Sequence, residues 1–95
     1  MIAPTMKDQA AYAKMGRELL LASEVKPGGE GTAPLRIVLC KVEGYDPYVV
    51  WWENMDDSAR VGYPATFGGD YHRGSMTAVA AFRELADREG FQVDL

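Results

Sequence analysis

The chain is poor in the residues that most chemistry requires. It has one cysteine, Cys40, and one histidine, His72, in 95 residues. A lone thiol forms no intrachain disulfide, and a chain without a disulfide framework fits a reducing cytoplasm. Zinc needs three or four Cys, His or carboxylate ligands, so neither a metal nor any other cofactor is expected. No apolar run approaches the roughly 18 residues of a membrane span. The start, Met1-Ile2-Ala3-Pro4-Thr5-Met6-Lys7-Asp8, lacks the basic-then-apolar pattern of a signal peptide. Positive charge is scarce: 10 Lys and Arg against 14 Asp and Glu give a net charge of −4. That balance disfavours nonspecific phosphate binding, which depends on clustered bases. Internal repeats and low-complexity tracts are also missing.

What is present is a pair of adjacent tryptophans in Tyr48-Val49-Val50-Trp51-Trp52. On a strand, successive side chains point to opposite faces. One indole therefore enters a core and the other leaves it. A chain this short is expected to cover one sheet face by itself. The outward indole then needs a partner, a second copy, the Gly/Pro loop at 26–34 or the C-terminal residues.

The remaining pattern predicts one α+β domain over 1–95. Thr5 with Asp8 resembles a capping box, and Tyr12, Met15, Leu19 and Ala22 share a helical face, so a helix is expected from Thr5 to Val25. Pro27, Gly28, Gly29 and Gly31 make the following loop flexible. Leu35–Glu43 and Tyr48–Asn54 read as strands. A turn centred on Tyr45-Asp46 sets Val42 against Val49, Cys40 against Trp51 and Leu39 against Trp52. Val38, Cys40, Val42, Val49 and Trp51 then share the core face, and Ile37, Leu39, Lys41, Glu43, Tyr48, Val50 and Trp52 the other. Asn54–Arg60 reads as a polar turn. Val61–Phe67 reads as a third strand, at an edge or broken at Pro64, which cannot donate a ladder hydrogen bond, and Asp70–Arg73 extend or re-pair it. Ser75 is the expected N-cap of a second helix reaching Glu89, with Ala78, Val79, Phe82, Leu85 and Ala86 as its apolar stripe and Gly90 as its stop. Phe91–Leu95 fits a terminal strand or arm. The order is α-β-β-β-α(-β): a two-layer, three- or four-stranded antiparallel meander with both helices on one face.

His72 is the best lone catalytic candidate, with Asp70 placed to orient its ring, but no nucleophile accompanies it. No catalytic residue is therefore assigned. Cys40 inside a strand reads as a packing residue. Lys26-Pro27-Gly28-Gly29-Glu30-Gly31-Thr32 lacks the Gly-Lys-Ser/Thr of a phosphate loop. Asp56 and Asp57 lack the ligand spacing of a calcium loop. The element order matches double-stranded-RNA-binding domains. Their lysine-rich start to the second helix is replaced here by Arg73-Gly74-Ser75-Met76-Thr77-Ala78, so direct nucleic-acid binding is not expected.

Three segments carry a resemblance: Tyr48-Val49-Val50-Trp51-Trp52-Glu53-Asn54, Gly69-Asp70-Tyr71-His72, and the helix Thr77-Ala78-Val79-Ala80-Ala81-Phe82-Arg83. They resemble small bacterial proteins of plasmids and integrated elements, whose pattern is Tyr-Val-x-Trp-x-x-Asn, Gly-His-Tyr-Phe and an Ala/Phe helix. This chain departs from it at Asp70 and His72. The resemblance covers about the C-terminal half of the chain. It implies no activity, only an accessory protein of the mobile genome.

The leading expectation is a non-enzymatic, cytoplasmic interaction protein that forms a homodimer or binds a protein partner. Its contact face comprises Tyr48, Trp52, Leu39, Ile37, Tyr71 and His72. The first alternative is an acidic anti-defence inhibitor of a nucleic-acid-handling complex, of the anti-CRISPR type, drawing on Glu43, Asp46, Glu53, Asp56, Asp57 and Asp70. The second is an enzyme centred on His72.

Overall fold

A computed structural model describes residues 4–92. The elements are α1 (Met6–Ala13), β1 (Glu18–Ala22), β2 (Leu35–Lys41), β3 (Tyr48–Asn54), α2 (Met55–Val61), β4 (Thr66–His72) and α3 (Ser75–Glu89). The four strands form one antiparallel meander in the order β1-β2-β3-β4. The α+β antiparallel meander expected from the sequence is therefore present, with Glu18–Ala22 as its fourth strand in place of the C-terminal segment the sequence suggested.

The extra strand comes from the segment expected to be helical. Thr5 caps α1 as anticipated, its Oγ1 accepting from Asp8 N at 3.1 Å. The helix stops after two turns, and Gly16 then takes a left-handed φ of 73°. Glu18–Ala22 pairs with β2 instead, setting Leu19 against Cys40 and Ala22 against Val38. The reason is burial on two sides. Leu19 joins a cluster on one sheet face, while Leu20 and Leu21 pack on the other. A helix of this sequence would leave Leu21 stranded opposite the Tyr12–Leu19 stripe.

The β2–β3 hairpin is offset by two residues from the expected register. Cys40 faces Val49, Val38 faces Trp51 and Ile37 faces Trp52. The connection is the longer loop 42–47, closed by Val42 N donating to Pro47 O at 2.7 Å. A slip of two preserves the alternation of side chains, so the expected division of faces survives.

The acidic segment after β3 is a short helix rather than a turn. Asn54 Oδ1 accepts from Asp57 N at 3.0 Å, and Gly62 ends α2 at φ 81°. This moves the last strand from 61–67 to Thr66–His72, leaving Pro64 outside it. β4 lies at a sheet edge, and the expected strand is broken at Pro64, which precedes it. At α3 the N-cap is Gly74 rather than Ser75, and Gly90 at φ 75° closes the helix.

Both sheet faces are covered, and by different helices. Ala78, Phe82 and Ala86 of α3 pack with Ile37, Leu39, Val50 and Phe91 on one face. Tyr12 of α1 packs with Leu19, Ala22, Val38, Cys40, Val49 and Trp51 on the other. The sequence placed both helices on one face. Ending α1 at Ala13 leaves it beside β1, where Tyr12 can reach only the face opposite α3. The adjacent indoles do lie on opposite faces. Trp51 is buried, and half-buried Trp52 meets Phe91 edge-on at 5.4 Å and stacks with Phe67 at 6.3 Å. The residues after α3 thus supply part of the cover for the second ring. Gln92 O accepts from Glu24 N at 3.2 Å. The rest of the expected terminal strand, 93–95, lies outside the described residues.

Candidate functional site

β4 is the least covered element of the sheet. Residues 67–71 are all exposed, Phe67 at 49% and Tyr71 at 56%. A bulge explains how two aromatics four positions apart reach different faces. Gly68 takes φ 66°, and the pairing shifts between Val50 and Trp52. Phe67 therefore stacks on Trp52, while Tyr71 stands edge-on to Trp51 at 6.1 Å. A Cβ at Gly69 would lie 2.7 Å from Trp51 Nε1, so the bulge requires glycine at this close approach. On the Tyr71 side, the Arg17 guanidinium lies 4.0 Å over the Trp51 ring and donates to Thr66 Oγ1 at 2.7 Å.

A third exposed aromatic lies in the β2–β3 loop. Tyr45 is 75% exposed, and the Arg73 guanidinium stacks over it at 4.0 Å while pairing with Asp46 at 3.6 Å. His72 pairs across the strands with Tyr48, and its Nε2 lies 3.0 Å from Asp70 Oδ2. The carboxylate anticipated as its orienting group is thus in place. Cross-strand pairing brings Tyr48, Asp70 and His72 to one end of the sheet on the α3 side, while Tyr71 between them points to the opposite face with Trp51. Tyr48 is half-buried on the α3 side. Ile37 and Leu39, expected on the contact face, are sealed beneath α3 at 0% and 1% exposure and can touch no partner. Trp52 offers only part of its ring.

The acids expected to form an anionic decoy are largely engaged elsewhere. Asp46 pairs with Arg73, Asp57 with Arg60 and Asp70 with His72. Glu53 is 3% exposed and belongs to a buried network that sequence reasoning missed. Its Oε1 accepts from Tyr12 Oη at 2.6 Å and Arg36 Nε at 2.9 Å, and its Oε2 accepts from Ser58 Oγ at 2.7 Å. Ser58 Oγ in turn accepts from Ala65 N at 2.8 Å. Arg36 also reaches Asp8 at 3.3 Å. Arg36 and Glu53 are direct cross-strand partners. The available signal was an Arg and a Glu at positions of the same parity as Val38 and Trp51, hidden by the two-residue register offset.

The network binds three elements to the sheet: α1 through Tyr12 and Asp8, α2 through Ser58, and the approach to β4 through Ala65. Burial, then the Glu53 carboxylate, drive the Tyr12 phenol above its ordinary pKa. Partial burial works to raise the Asp8 pKa, but Arg36 and Thr5 hold it below the usual value. Every buried side-chain polar atom among the described residues has a partner, so the network is a closed structural device. A surface cavity of about 480 Å³ opens beside it between α1 and α2. Cys40 is wholly buried, and burial pushes its thiol up to about 12. That fits the packing role read from the sequence.

Among the described residues no cluster of three His, Cys, Asp or Glu could hold a metal ion. No described helix is long and apolar enough to cross a membrane. The chain matches no family model, no curated protein and no solved structure.

Proposed function

We propose that this chain is a non-enzymatic interaction protein that engages a protein partner, or a second copy of itself, along the β4 edge. The carrying observation is the set of exposed aromatics at the β4 edge, Phe67 on one face and Tyr71 on the other with Tyr45 in the adjoining loop, beside a strand, β3, whose two faces are largely buried. Tyr and Arg are the residues that anchor protein contacts, and Arg73 stacked on Tyr45 adds one of each. The Gly68–Gly69 bulge blunts the edge against continuous strand addition. Recognition on this reading runs through side chains rather than through a backbone ladder.

Composition favours a protein over a nucleic acid as partner. Aromatics can stack on bases, but that mode works with a basic groove. Here Arg73 is shared with Asp46, and Asp70 lies in the same patch. An imidazole with a carboxylate still lacks the nucleophile or polarising group that catalysis requires, so His72 is read as part of the contact surface. The unpaired cysteine favours a reducing compartment such as the cytoplasm.

The test compares the Phe67→Ser/Tyr71→Ser double variant with wild type by light scattering and by affinity capture from the native cell. The proposal requires that the variant keep its circular dichroism spectrum and lose self-association or the captured protein. A folded variant that associates as wild type does refutes it.

A further inference from the structure

The two helices that cover the sheet are held very differently. α3 has 15 residues, three of them buried, and touches β2, β3 and β4. α1 has eight residues, and Tyr12 is the one that is buried, while Met6 at its start is 88% exposed. A two-turn helix does not persist alone in water, so α1 depends on its attachments to the sheet. Beyond the packing of Tyr12, these are the Tyr12–Glu53 hydrogen bond and the looser Asp8–Arg36 contacts at 3.3–3.5 Å. The helix joins β1 through the turn 14–16, where Gly16 adopts φ 73° with open space around it. On the flank facing α2 lies the cavity of about 480 Å³.

We propose that α1 is a hinged cover: it pivots at Gly16, withdraws Tyr12 from the sheet and opens the Val38–Cys40–Val49–Trp51 face while the sheet and α3 stay folded. Segments with few buried contacts open at lower free energy than the core, and α1 has the fewest buried contacts of the elements that seal a sheet face. Opening uncovers an apolar surface together with the Arg36–Glu53 pair. The inference concerns the face opposite α3 and does not depend on the β4 reading.

Cys40 is a built-in reporter, because it is wholly buried in the same cluster as Tyr12. The experiment measures its alkylation by iodoacetamide in the native full-length protein at increasing low urea. Amide hydrogen exchange is followed in parallel for α1 and for β2–β3. A hinged cover predicts that Cys40 reacts faster than global unfolding allows, at a rate nearly independent of urea, with α1 amides exchanging ahead of β2–β3 amides. Tyr12→Phe should raise the rate about tenfold or more, the equilibrium equivalent of its lost hydrogen bond. Ala86→Gly weakens α3 and should leave the rate unchanged. If Cys40 reacts only at the global unfolding rate, or if Ala86→Gly accelerates it as much as Tyr12→Phe, the cover does not open separately and the proposal is overturned.

Discussion

Replacing Tyr12 by phenylalanine deletes one oxygen and leaves the aromatic packing of α1 in place. The lost contact is a 2.6 Å hydrogen bond from a buried phenol to the Glu53 carboxylate. Hydrogen bonds to charged groups contribute about 1.5–3 kcal/mol. Glu53 keeps Arg36 and Ser58 as donors, so it is not orphaned and the lower part of that range applies, about 1.5–2 kcal/mol. For a domain of this size each kcal/mol moves the melting temperature by about 4–8 °C, a fall of roughly 6–16 °C. Urea unfolding followed by tryptophan fluorescence should give that loss with an unchanged m-value. A double-mutant cycle with Glu53→Gln should return a coupling of about 1 kcal/mol or more. A Tyr12→Phe variant within about 0.5 kcal/mol of wild type, or a cycle with no coupling, would show that α1 is not tied to the sheet through Glu53.

Three further outcomes follow from the geometry. Gly69→Ala forces a Cβ within 2.7 Å of Trp51 Nε1 and 2.9 Å of Tyr71 Cε1. It should cost about 1–3 kcal/mol and shift the tryptophan emission, which denaturation and fluorescence spectra check together. At alkaline pH, Cys40 and Tyr12 both have folded pKa values raised above their unfolded ones. The stability they confer is complete below the unfolded thiol value of 9.0 and falls as pH rises toward the folded value of about 12. Cys40→Ala should flatten that decline in urea titrations from pH 8 to 11. At acid pH the sign reverses. The lowered Asp8 pKa adds stability that is present above the unfolded value of 3.8 and is lost as pH falls through the folded value. Asp8→Asn should remove that component from a pH–stability curve, and an identical curve would show that the Arg36 contact contributes nothing.

Much of the sheet was legible because alternation is a robust signal. The hydrophobic parity of 37–42 and 48–52 assigned every side chain to its face even though the register was off by two. Tyr45-Asp46 looked like a compact turn, and only the Val42–Pro47 closure reveals the longer loop. The helix-to-strand switch after Ala13 was harder to see. Leu19-Leu20-Leu21 suits either state, and pairing with β2 decided it, a long-range fact that local spacing does not contain. Asp56-Asp57-Ser58 read as a turn because its cap, Asn54, sits inside the preceding strand. The residues expected on a contact face fall in different places. Tyr71 and His72 emerge on the exposed edge, whereas Ile37 and Leu39 were misplaced because α3 covers the face assumed open. The Arg36–Glu53 pair was hidden because each charge, taken alone, looked like an ordinary surface residue.

Contact through β4 puts position 71 within crosslinking range of the partner. Site-specific photocrosslinking tests it most directly, with p-benzoylphenylalanine placed at Tyr71 and, as a control, at exposed Met76 on α3. Such contact requires a discrete protein adduct, homodimeric or heteromeric, from position 71 in the native cell and none from position 76. Adducts from position 76 with none from position 71 would place the contact on α3 and contradict it.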